Sequence, residues 1–312
     1  MRRHVNGILL LDKAIGITSN GALQRMKHLF QAKKAGHTGS LDPMATGMLP
    51  LCFGEATKFS QFLLDSDKTY EVTAQLGVCT TTADREGTVT ETKPVPELSA
   101  ERIAAAMQKF IGAIDQVPPM FSAIKVQGKP LYELARKGIE IERKSRRITI
   151  FSMISHGYDA TTQQLSFVVH CSKGTYVRTL VEDMGRDLGC GAHVAALRRT
   201  HVTPYDGCQI YTEEGLRIIA ETAGQSGLDA CLLPLETSVR AFPAIKLSTS
   251  AAFYLKMGQA VRATLPLKSP MVRLFAEDER FLGVGEVTED GRVKPFRLLA
   301  MADAAPRTAQ AV

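Results

Sequence analysis

The spacing of apolar and polar residues predicts a chain of mixed strands and helices. Residues 7–12 (GILLLD) form a continuous apolar run, which indicates a strand buried on both faces. Residues 68–77 alternate with a period of two, which predicts a half-buried strand with Tyr70 on its inward face. Apolar residues at helical spacing after Thr175, followed by Gly189, predict a helix. Because no βαβ rhythm is present, we expect an α+β fold around a largely antiparallel central sheet flanked by helices.

The same patterns indicate two domains. Ser19 or Asn20 is expected to cap the first helix, and a polar helix is expected over residues 212–223. Beyond residue 240, short apolar strands separated by Pro and Gly replace the longer elements. We therefore expect a large domain over residues 1–240 and a small β-rich domain over residues 241–312, with a disordered tail after Asp303.

Residues 36–54 (GHTGSLDPMATGMLPLCFG) show neither the 3.6-residue apolar period of a helix nor the two-residue period of a strand. They are therefore predicted to form an ordered loop. Asp42 is the one carboxylate in this segment, and Pro43 disfavours the helical conformation for the residue before it. The four glycines permit left-handed turns and a close approach of the backbone to a ligand. Composition alone leaves two interpretations, an ordinary Asx turn and a reactive carboxylate.

Charge favours a polyanionic partner. The 312-residue chain carries a formal net charge of +6. Basic residues cluster at 27–34 and at 136–147 (RKGIEIERKSRR), which favours a phosphate-binding surface. No run of about 18 apolar residues is present, so no membrane span is expected. The N-terminal segment does not resemble a signal peptide, so a cytoplasmic protein is expected.

The cysteines do not form a recognisable metal site. The six cysteines are scattered without a CxxC pair, and reduced thiols are expected. Cys190, His193, His201 and Cys208 are close in sequence, but their spacing fits no standard zinc pattern. We expect no metal.

Four segments together resemble the TruB-type tRNA pseudouridine synthases of bacteria. They are GILLLDKAIGITSN, GHTGSLDPMATGMLPLCFGEATKFSQFLLDSDKTYEV, PPMFSAIKVQGKPLYELARKG and HCSKGTYVRTLVEDMGRDLGCGAHVAALRR, which cover most of residues 7–202. The C-terminal part, with MGQAVR and FLGVGEV, is similar to the small PUA-like RNA-binding domain of that family. One departure is Ala14, where the family usually has proline in an LDKP motif.

The resemblance implies isomerisation of uridine 55 in the T-loop of tRNA to pseudouridine. It implies a pseudouridine-synthase-like catalytic domain over residues 1–240 and a PUA-like domain over residues 241–312. It also implies no cofactor and no metal, tRNA (its T-arm stem-loop) as partner, no obligate protein partner and a monomer. Residues 118–147, hereafter the arm, match a substrate-gripping segment that contacts phosphates.

The resemblance implies that Asp42 is the nucleophile. An ionised carboxylate can attack a nucleotide and leave again. Whether it attacks C1′ or C6, or assists through a glycal, is left open at this point. Arg178 matches its partner, and a guanidinium beside a carboxylate is expected to lower the carboxylate pKa and fix its geometry.

Six further residues match site positions of the family. Tyr70 is expected to stack on the uracil and to serve in removal of the C5 proton. Because a T-loop uridine must be flipped out to react, His37 is expected to fill the vacated space. Asp84 is expected to maintain the hydrogen-bond network, and Tyr176 and Leu197 to line the base pocket. Lys13 is expected either to contact RNA or to support the loop.

Two alternatives remain from the sequence. The first is a non-catalytic RNA-binding or RNA-folding protein that uses the basic faces and the C-terminal domain. The second is a guide-RNA-dependent enzyme that acts on ribosomal RNA with protein partners. Relatives of the second kind usually carry longer basic termini, so a stand-alone tRNA enzyme is favoured.

Overall fold

The computed structural model describes residues 2–264 and 269–300, so the predicted disordered tail lies outside the described residues. The strands, numbered along the chain, are β1 (Gly7–Lys13), β2 (Ala35–His37), β3 (Thr46–Phe53), β4 (Lys68–Leu76), β5 (Val78–Thr80), β6 (Val89–Thr92), β7 (Gly112–Gln116), β8 (Lys125–Val126), β9 (Lys129–Pro130), β10 (Arg146–Asp159), β11 (Gln164–Cys171), β12 (Ala192–Val202), β13 (Tyr211–Thr212), β14 (Ala244–Lys246), β15 (Val261–Arg262), β16 (Met271–Phe275), β17 (Phe281–Val287) and β18 (Arg292–Leu298). The α-helices are α1 (Ser19–Leu29), α2 (Ser60–Leu64), α3 (Ala100–Gln108), α4 (Leu131–Ala135), α5 (Val177–Leu188), α6 (Glu213–Ala230) and α7 (Thr249–Lys256). Short 3-10 helices cover Gly54–Phe59 and Leu235–Val239.

A nine-stranded sheet organises the larger part of the molecule. Its strand order is β13-β1-β3-β12-β4-β11-β10-β7, and β2 pairs with β3. The pairings β1–β13 and β3–β12 are parallel, and the remaining pairings of this sheet are antiparallel. The predicted α+β fold with a largely antiparallel sheet is therefore confirmed. Strand β12 lies between β3 and β4, which carry residues much earlier in the chain.

Helices cover one face of this sheet and form the main core. Leu9, Leu49 and Val72 from the strands pack in the same cluster as Leu180 and Met184 of α5. The helix α5 is amphipathic and ends at Gly189, whose positive φ of 88° suits a residue without a Cβ. The predicted helix after Thr175 is confirmed, and this burial fixes the first turn of α5 against the sheet.

Two predicted strands are confirmed, whereas the predicted loop over residues 36–54 is only partly correct. The strands predicted at 7–12 and 68–77 are confirmed as β1 and β4. The prediction of one ordered loop over residues 36–54 is wrong in part, because β2 and β3 occupy both ends of it. Strand β3 is almost continuously buried, so it shows no two-residue alternation that would reveal it.

Two helix predictions also need correction. The cap of α1 is Thr18, whose hydroxyl accepts from Gly21 N at 3.0 Å, and not Ser19 or Asn20. The polar helix predicted over residues 212–223 extends to Ala230 through a kink at Gly224. The glycine adopts a non-helical conformation there, and apolar residues beyond it continue the packing.

A second, five-stranded sheet lies in the C-terminal part, with strand order β14-β16-β17-β18-β15. Its core includes the buried residues Val272, Leu274 and Leu282. A cluster that includes Phe59 and Phe281 joins this sheet to the larger part. The β-rich C-terminal fold expected from the sequence is confirmed. No helix of the described residues is long and apolar enough to cross a membrane.

Candidate active site

Asp42 lies at the start of a tight turn in residues 38–45, hereafter the Asp42 loop. Its carbonyl accepts from the backbone N–H of Ala45 at 3.1 Å, so residues 42–45 form a β-turn. Pro43 occupies the second position of the turn, where its fixed φ is favourable. The turn presents the Asp42 side chain with 37% of its surface exposed.

Three elements hold the Asp42 loop from outside. The Ser19 hydroxyl of α1 accepts from Leu41 N at 2.7 Å and donates to Leu41 O at 3.1 Å. The N–H of Gly16 donates to Pro43 O at 2.8 Å. The ammonium of Lys13, at the end of β1, donates to the same carbonyl at 3.4 Å. Hydrogen bonds on both sides of Asp42 therefore fix its backbone.

Arg178, in the first turn of α5, binds the Asp42 carboxylate through two nitrogens. Its Nε lies 2.9 Å from Oδ2, and its Nη2 donates to Oδ1 at 3.3 Å. The remaining donors reach Thr82 O at 3.0 Å and Phe121 O at 2.7 Å. The guanidinium is only 5% exposed, so its orientation is fixed by these contacts. Asp42 and Arg178, the pair predicted from the sequence, lie together.

Asp84 completes this charged group. Its Oδ2 lies 3.7 Å from Nη1 of Arg178, and its Oδ1 accepts from the Thr82 hydroxyl at 2.6 Å. The Asp84 side chain is almost fully buried. A second carboxylate on the same guanidinium compensates the buried cation and restricts its rotation.

Burial of the site raises the pKa of the Asp42 carboxyl above its ordinary value. The charge and hydrogen bonds of Arg178 oppose this rise, and the charge of Asp84 adds to it. The expectation that Arg178 lowers the Asp42 pKa is right in direction, but burial has the larger effect and the pKa is raised overall. The two donors beside the carboxylate still favour its ionised form.

The two predicted tyrosines lie in the electrostatic field of Asp42. Burial raises the pKa of Tyr70, which is 9% exposed on β4, and the charge of Arg199 opposes this rise. Burial also raises the pKa of Tyr176, whose backbone N–H and C=O both bond to the side-chain amide of Gln116 at 2.8 and 3.1 Å. Both phenols therefore remain protonated at neutral pH.

His37 and Leu197 are placed by β2 and β12. His37 has a buried Nδ1 without a hydrogen-bond partner among the described residues. Its pKa is lowered by burial and then by the charge of Arg199, so the imidazole is neutral at neutral pH. Leu197 lines a cavity of about 320 Å³ with Met44 and Thr46, the second and fourth residues after Asp42.

A second cavity adjoins Arg178 from the side of the arm. It has a volume of about 530 Å³ and is lined by Thr82 and Phe121, whose carbonyls accept from Arg178. Asp42 itself belongs to the lining of neither of these two cavities. Access to its carboxylate therefore depends on its own exposed surface and on the position of the arm.

Lys13 is fully buried, and its ammonium donates to Ala14 O at 2.9 Å and Ile17 O at 2.8 Å besides Pro43 O. Burial lowers its pKa to about 8. Of the two roles expected for Lys13, this geometry favours support of the loop.

Sequence reasoning missed two residues of this site, Ser19 and Arg199. Arg199 donates to carbonyls on both sides of Asp42. Neither residue stands out locally, because each acts on a partner distant in the chain. Among the described residues, no group of three or more His, Cys, Asp or Glu side chains is placed to bind a metal ion.

Comparison with known proteins places this chain in a family. Residues 27–177 match the model of the TruB family pseudouridylate synthase (N terminal domain). Residues 178–240 match that of the tRNA pseudouridylate synthase B C-terminal domain, and residues 243–299 match that of Pseudouridine synthase II TruB, C-terminal.

Curated relatives and solved structures agree with these matches. The chain is 52% identical over 298 residues to tRNA pseudouridine synthase B of Coxiella burnetii (strain RSA 493 / Nine Mile phase I), covering 96% of each chain. It is 53% identical over 299 residues to the same enzyme of Stutzerimonas stutzeri (strain A1501), covering 96% of this chain and 97% of the relative. The fold is similar to a chain in the crystal structure of a Cbf5-Nop10-Gar1 complex, with a TM-score of 0.75, 24% identity, and coverage of 98% of this chain and 88% of that chain. The chain belongs to the TruB family of pseudouridylate synthases.

Proposed function

We propose that this chain, a tRNA pseudouridine synthase and therefore an isomerase, converts uridine 55 of tRNA to pseudouridine with Asp42 as its nucleophile. The observation that carries the proposed role is the partly exposed Asp42 carboxylate held by two nitrogens of the buried Arg178. The reaction breaks the C1′–N1 bond and forms the C1′–C5 bond, while the C5 proton is replaced by one on N1. Substrate and product are isomers, so no further reactant is needed.

The Asp42 carboxylate serves any of three routes. It can attack C1′ of the sugar, attack C6 of the base, or assist through a glycal intermediate. Each route requires an ionised carboxylate that keeps its position while the detached uracil turns. The two-nitrogen contact with Arg178 supports both requirements, since it favours the anion and limits rotation of the side chain.

Tyr70, Tyr176 and Leu197 are proposed to line the base pocket, with Tyr70 assisting removal of the C5 proton. Tyr70 is 9% and Leu197 7% exposed, so a base reaches them only when covering residues move. The arm is the element suited to move, because its Phe121 carbonyl contacts Arg178 while much of its surface is exposed. Substrate entry is therefore proposed to displace the arm.

His37 is proposed to stack in the space that the flipped nucleotide leaves. A neutral imidazole with a buried, unbonded Nδ1 supports this role, because it offers a flat face and one polar atom without a described partner. Asp84 is proposed to maintain Arg178 in place, and Lys13 to support the turn at Pro43.

We propose that phosphate contacts are made by the arm and by the C-terminal part. Lys125, Lys129 and Lys137 are exposed on the arm, where they can follow the T-arm backbone. A division into a catalytic domain at 1–240 and an RNA-binding domain at 241–312 is proposed. The chain is proposed to act as a monomer on the T-arm stem-loop, without an obligate protein partner, in the cytoplasm where tRNA is found.

The test is tritium release from T-arm RNA that carries 5-tritiated uridine. Asp42→Asn should abolish release and leave T-arm affinity within about threefold, because it deletes the nucleophile and keeps the volume. His37→Ala should lower the rate less than Asp42→Asn does. Equal loss in both variants would give His37 a chemical role.

Two outcomes would overturn the proposal in different ways. If the wild-type chain binds the T-arm but releases no tritium, the chain is a binding or folding protein. If the purified chain modifies ribosomal RNA only with a guide RNA present, and leaves an isolated T-arm unchanged, the substrate assignment is wrong.

A further inference from the structure

Arg199 is the largest fully buried side chain of the described structure, with 1% of its surface exposed. No carboxylate among the described residues lies within ion-pair distance of it. A buried cation without a carboxylate partner is costly, so its burial needs a reason beyond packing.

The side chain of Arg199 contacts both ends of residues 39–48, hereafter the Asp42 segment. Its Nε donates to Met48 O at 2.7 Å, and its Nη2 donates to Gly39 O at 3.2 Å. Gly39 precedes Asp42 and Met48 follows it, so one rigid guanidinium sets the distance between the two ends of the segment. Gly39 has a φ of 97°, and a Cβ there would lie 3.8 Å from Nη1 of Arg199.

The backbone of Arg199 contacts the same segment. On β12, Arg199 is in register with Gly47 of β3 on one side and with Tyr70 of β4 on the other. A Cβ at Gly47 would lie 2.2 Å from Arg199 O, so the two strands approach more closely there than a side chain permits.

Tyr70 is the second group that Arg199 reaches. Residues in register on neighbouring strands direct their side chains to the same face, so the guanidinium and the phenol are neighbours. The charge of Arg199 opposes the rise in the Tyr70 pKa that burial causes. Arg199 therefore interacts with the segment that carries the proposed nucleophile and with the tyrosine proposed to assist removal of the C5 proton.

We propose that Arg199 is a positioning residue, whose guanidinium fixes the Asp42 segment relative to the Tyr70 phenol. Its burial means that it acts through these groups and does not contact RNA. The inference rests on the roles proposed for Asp42 and Tyr70.

Arg199→Lys and Arg199→Gln each remove the two-point contact of the guanidinium with the backbone carbonyls. Lysine retains the charge but not the two-point contact, and glutamine retains an amide donor without the charge. The single-turnover rate of tritium release should fall about 10-fold to 100-fold in each, as expected when a reacting group is displaced by a fraction of an ångström. T-arm affinity should remain within about threefold, because Arg199 is not on the surface.

The neighbouring Arg198 provides a matched control. Its side chain binds both oxygens of Asp12 at 2.9 and 2.8 Å, on the opposite face of β12. Arg198→Lys also removes a two-point guanidinium contact, in this case with a carboxylate, and should retain the rate within about threefold. Thermal unfolding and T-arm affinity are measured for every variant.

A double-mutant cycle with Tyr70→Phe distinguishes positioning from a purely structural role. Arg199→Gln should cost at least threefold less in the Tyr70→Phe background than in the wild type, because part of its effect passes through the phenol. Equal costs in both backgrounds, or wild-type rates in folded Arg199 variants, would overturn the proposal. So would a rate loss in Arg199→Lys that is fully explained by loss of folded protein or of T-arm affinity.

Asp42→Asn, measured in parallel, distinguishes the proposal that Asp42 is the nucleophile from the proposal that Arg199 positions it. Activity in that variant would refute the proposed nucleophile, whereas the Arg199 cycle tests the positioning of the segment.

Discussion

The Asp42 loop and the arm both contact Arg178, but they are built in opposite ways. The Asp42 loop is held by contacts from β1, α1 and β12, all of which are themselves packed in the sheet or against it. The arm contains the short pair β8–β9 and helix α4, which are joined by local bonds such as Tyr132 N to Ser122 O at 3.1 Å. Reacting groups need fixed positions, whereas a surface that grips RNA must adapt to it.

Of the variants that test this comparison, Arg178→Lys should lower the reaction rate most, because Arg178 holds the side chain of the rigid Asp42 loop. A lysine ammonium cannot reproduce the two contacts with Asp42 together with the bonds to Thr82 and Phe121, so we expect the single-turnover rate to fall about 100-fold or more. T-arm affinity should change by less than about threefold. The matched control is Arg186→Lys on the same helix, where the side chain is 70% exposed and pairs with Asp183. Similar losses in both variants would mean that helix α5, and not the Asp42 contact, is responsible.

The pH dependence of the rate should identify the ionisation of Asp42. In the proposed mechanism the Asp42 anion is the reactive form, so activity should be present above the carboxyl pKa and fall about tenfold per pH unit below it. Because burial raises this pKa above 3.8, the acid limb should lie at a higher pH than for an ordinary aspartate. Arg178→Gln should move the residual limb higher still, since the opposing charge is removed. Single-turnover rates between about pH 4 and pH 8 would test this, and a limb at or below the ordinary value would contradict it.

Neutralising the arm should affect binding without affecting chemistry. Lys125→Gln with Lys129→Gln removes two exposed cations from β8–β9, so T-arm affinity should fall about 3-fold to 10-fold at moderate salt. The slope of log affinity against log salt should become shallower by about one unit for each lysine that binds a phosphate in the wild type. The rate at saturating RNA should not change, and neither should the acid limb of the pH–rate profile. A lower saturated rate would show that the arm takes part in positioning the reacting groups.

The smallest effect is expected at Ala14, which follows the last residue of β1. Ala14→Pro introduces the residue that the TruB family usually carries at this position. It should raise the free energy of unfolding by about 0.5 kcal/mol by restricting the unfolded chain, with no change in rate. Urea denaturation would measure this. A decrease in stability would mean that the backbone at Ala14 is incompatible with proline.

The sequence pattern predicted the elements whose burial is one-sided, and it also predicted β1 from a continuous apolar run without glycine or proline inside it. Strand β4 and helix α5 each bury one face, so their periods of two and 3.6 residues are visible in the sequence. Strand β3 is buried almost throughout in the middle of the sheet, and its glycine and proline content is typical of a loop, so it was not recognisable as a strand. The Asp42 loop is therefore only residues 38–45.

The contact between Asp42 and Arg178 was predictable because motifs carry both residues, whereas contacts between other distant positions of the candidate site were not. Gly39 and Arg199 are 160 positions apart, and no local period or spacing links them. Ser19 was expected to cap α1, but its hydroxyl is used on Leu41 and Thr18 caps the helix instead. Net pKa shifts also depend on burial, which a sequence does not specify.

The insertion of β12 between β3 and β4 has a consequence for synthesis on the ribosome. A nascent chain that has emerged only through α5 already contains Asp42, Tyr70 and Arg178, yet the central sheet still lacks the strand that joins its two halves. The proposed catalytic site is thus completed late in translation. Incomplete chains that end before residue 192 would hold every predicted reacting group and still be inactive.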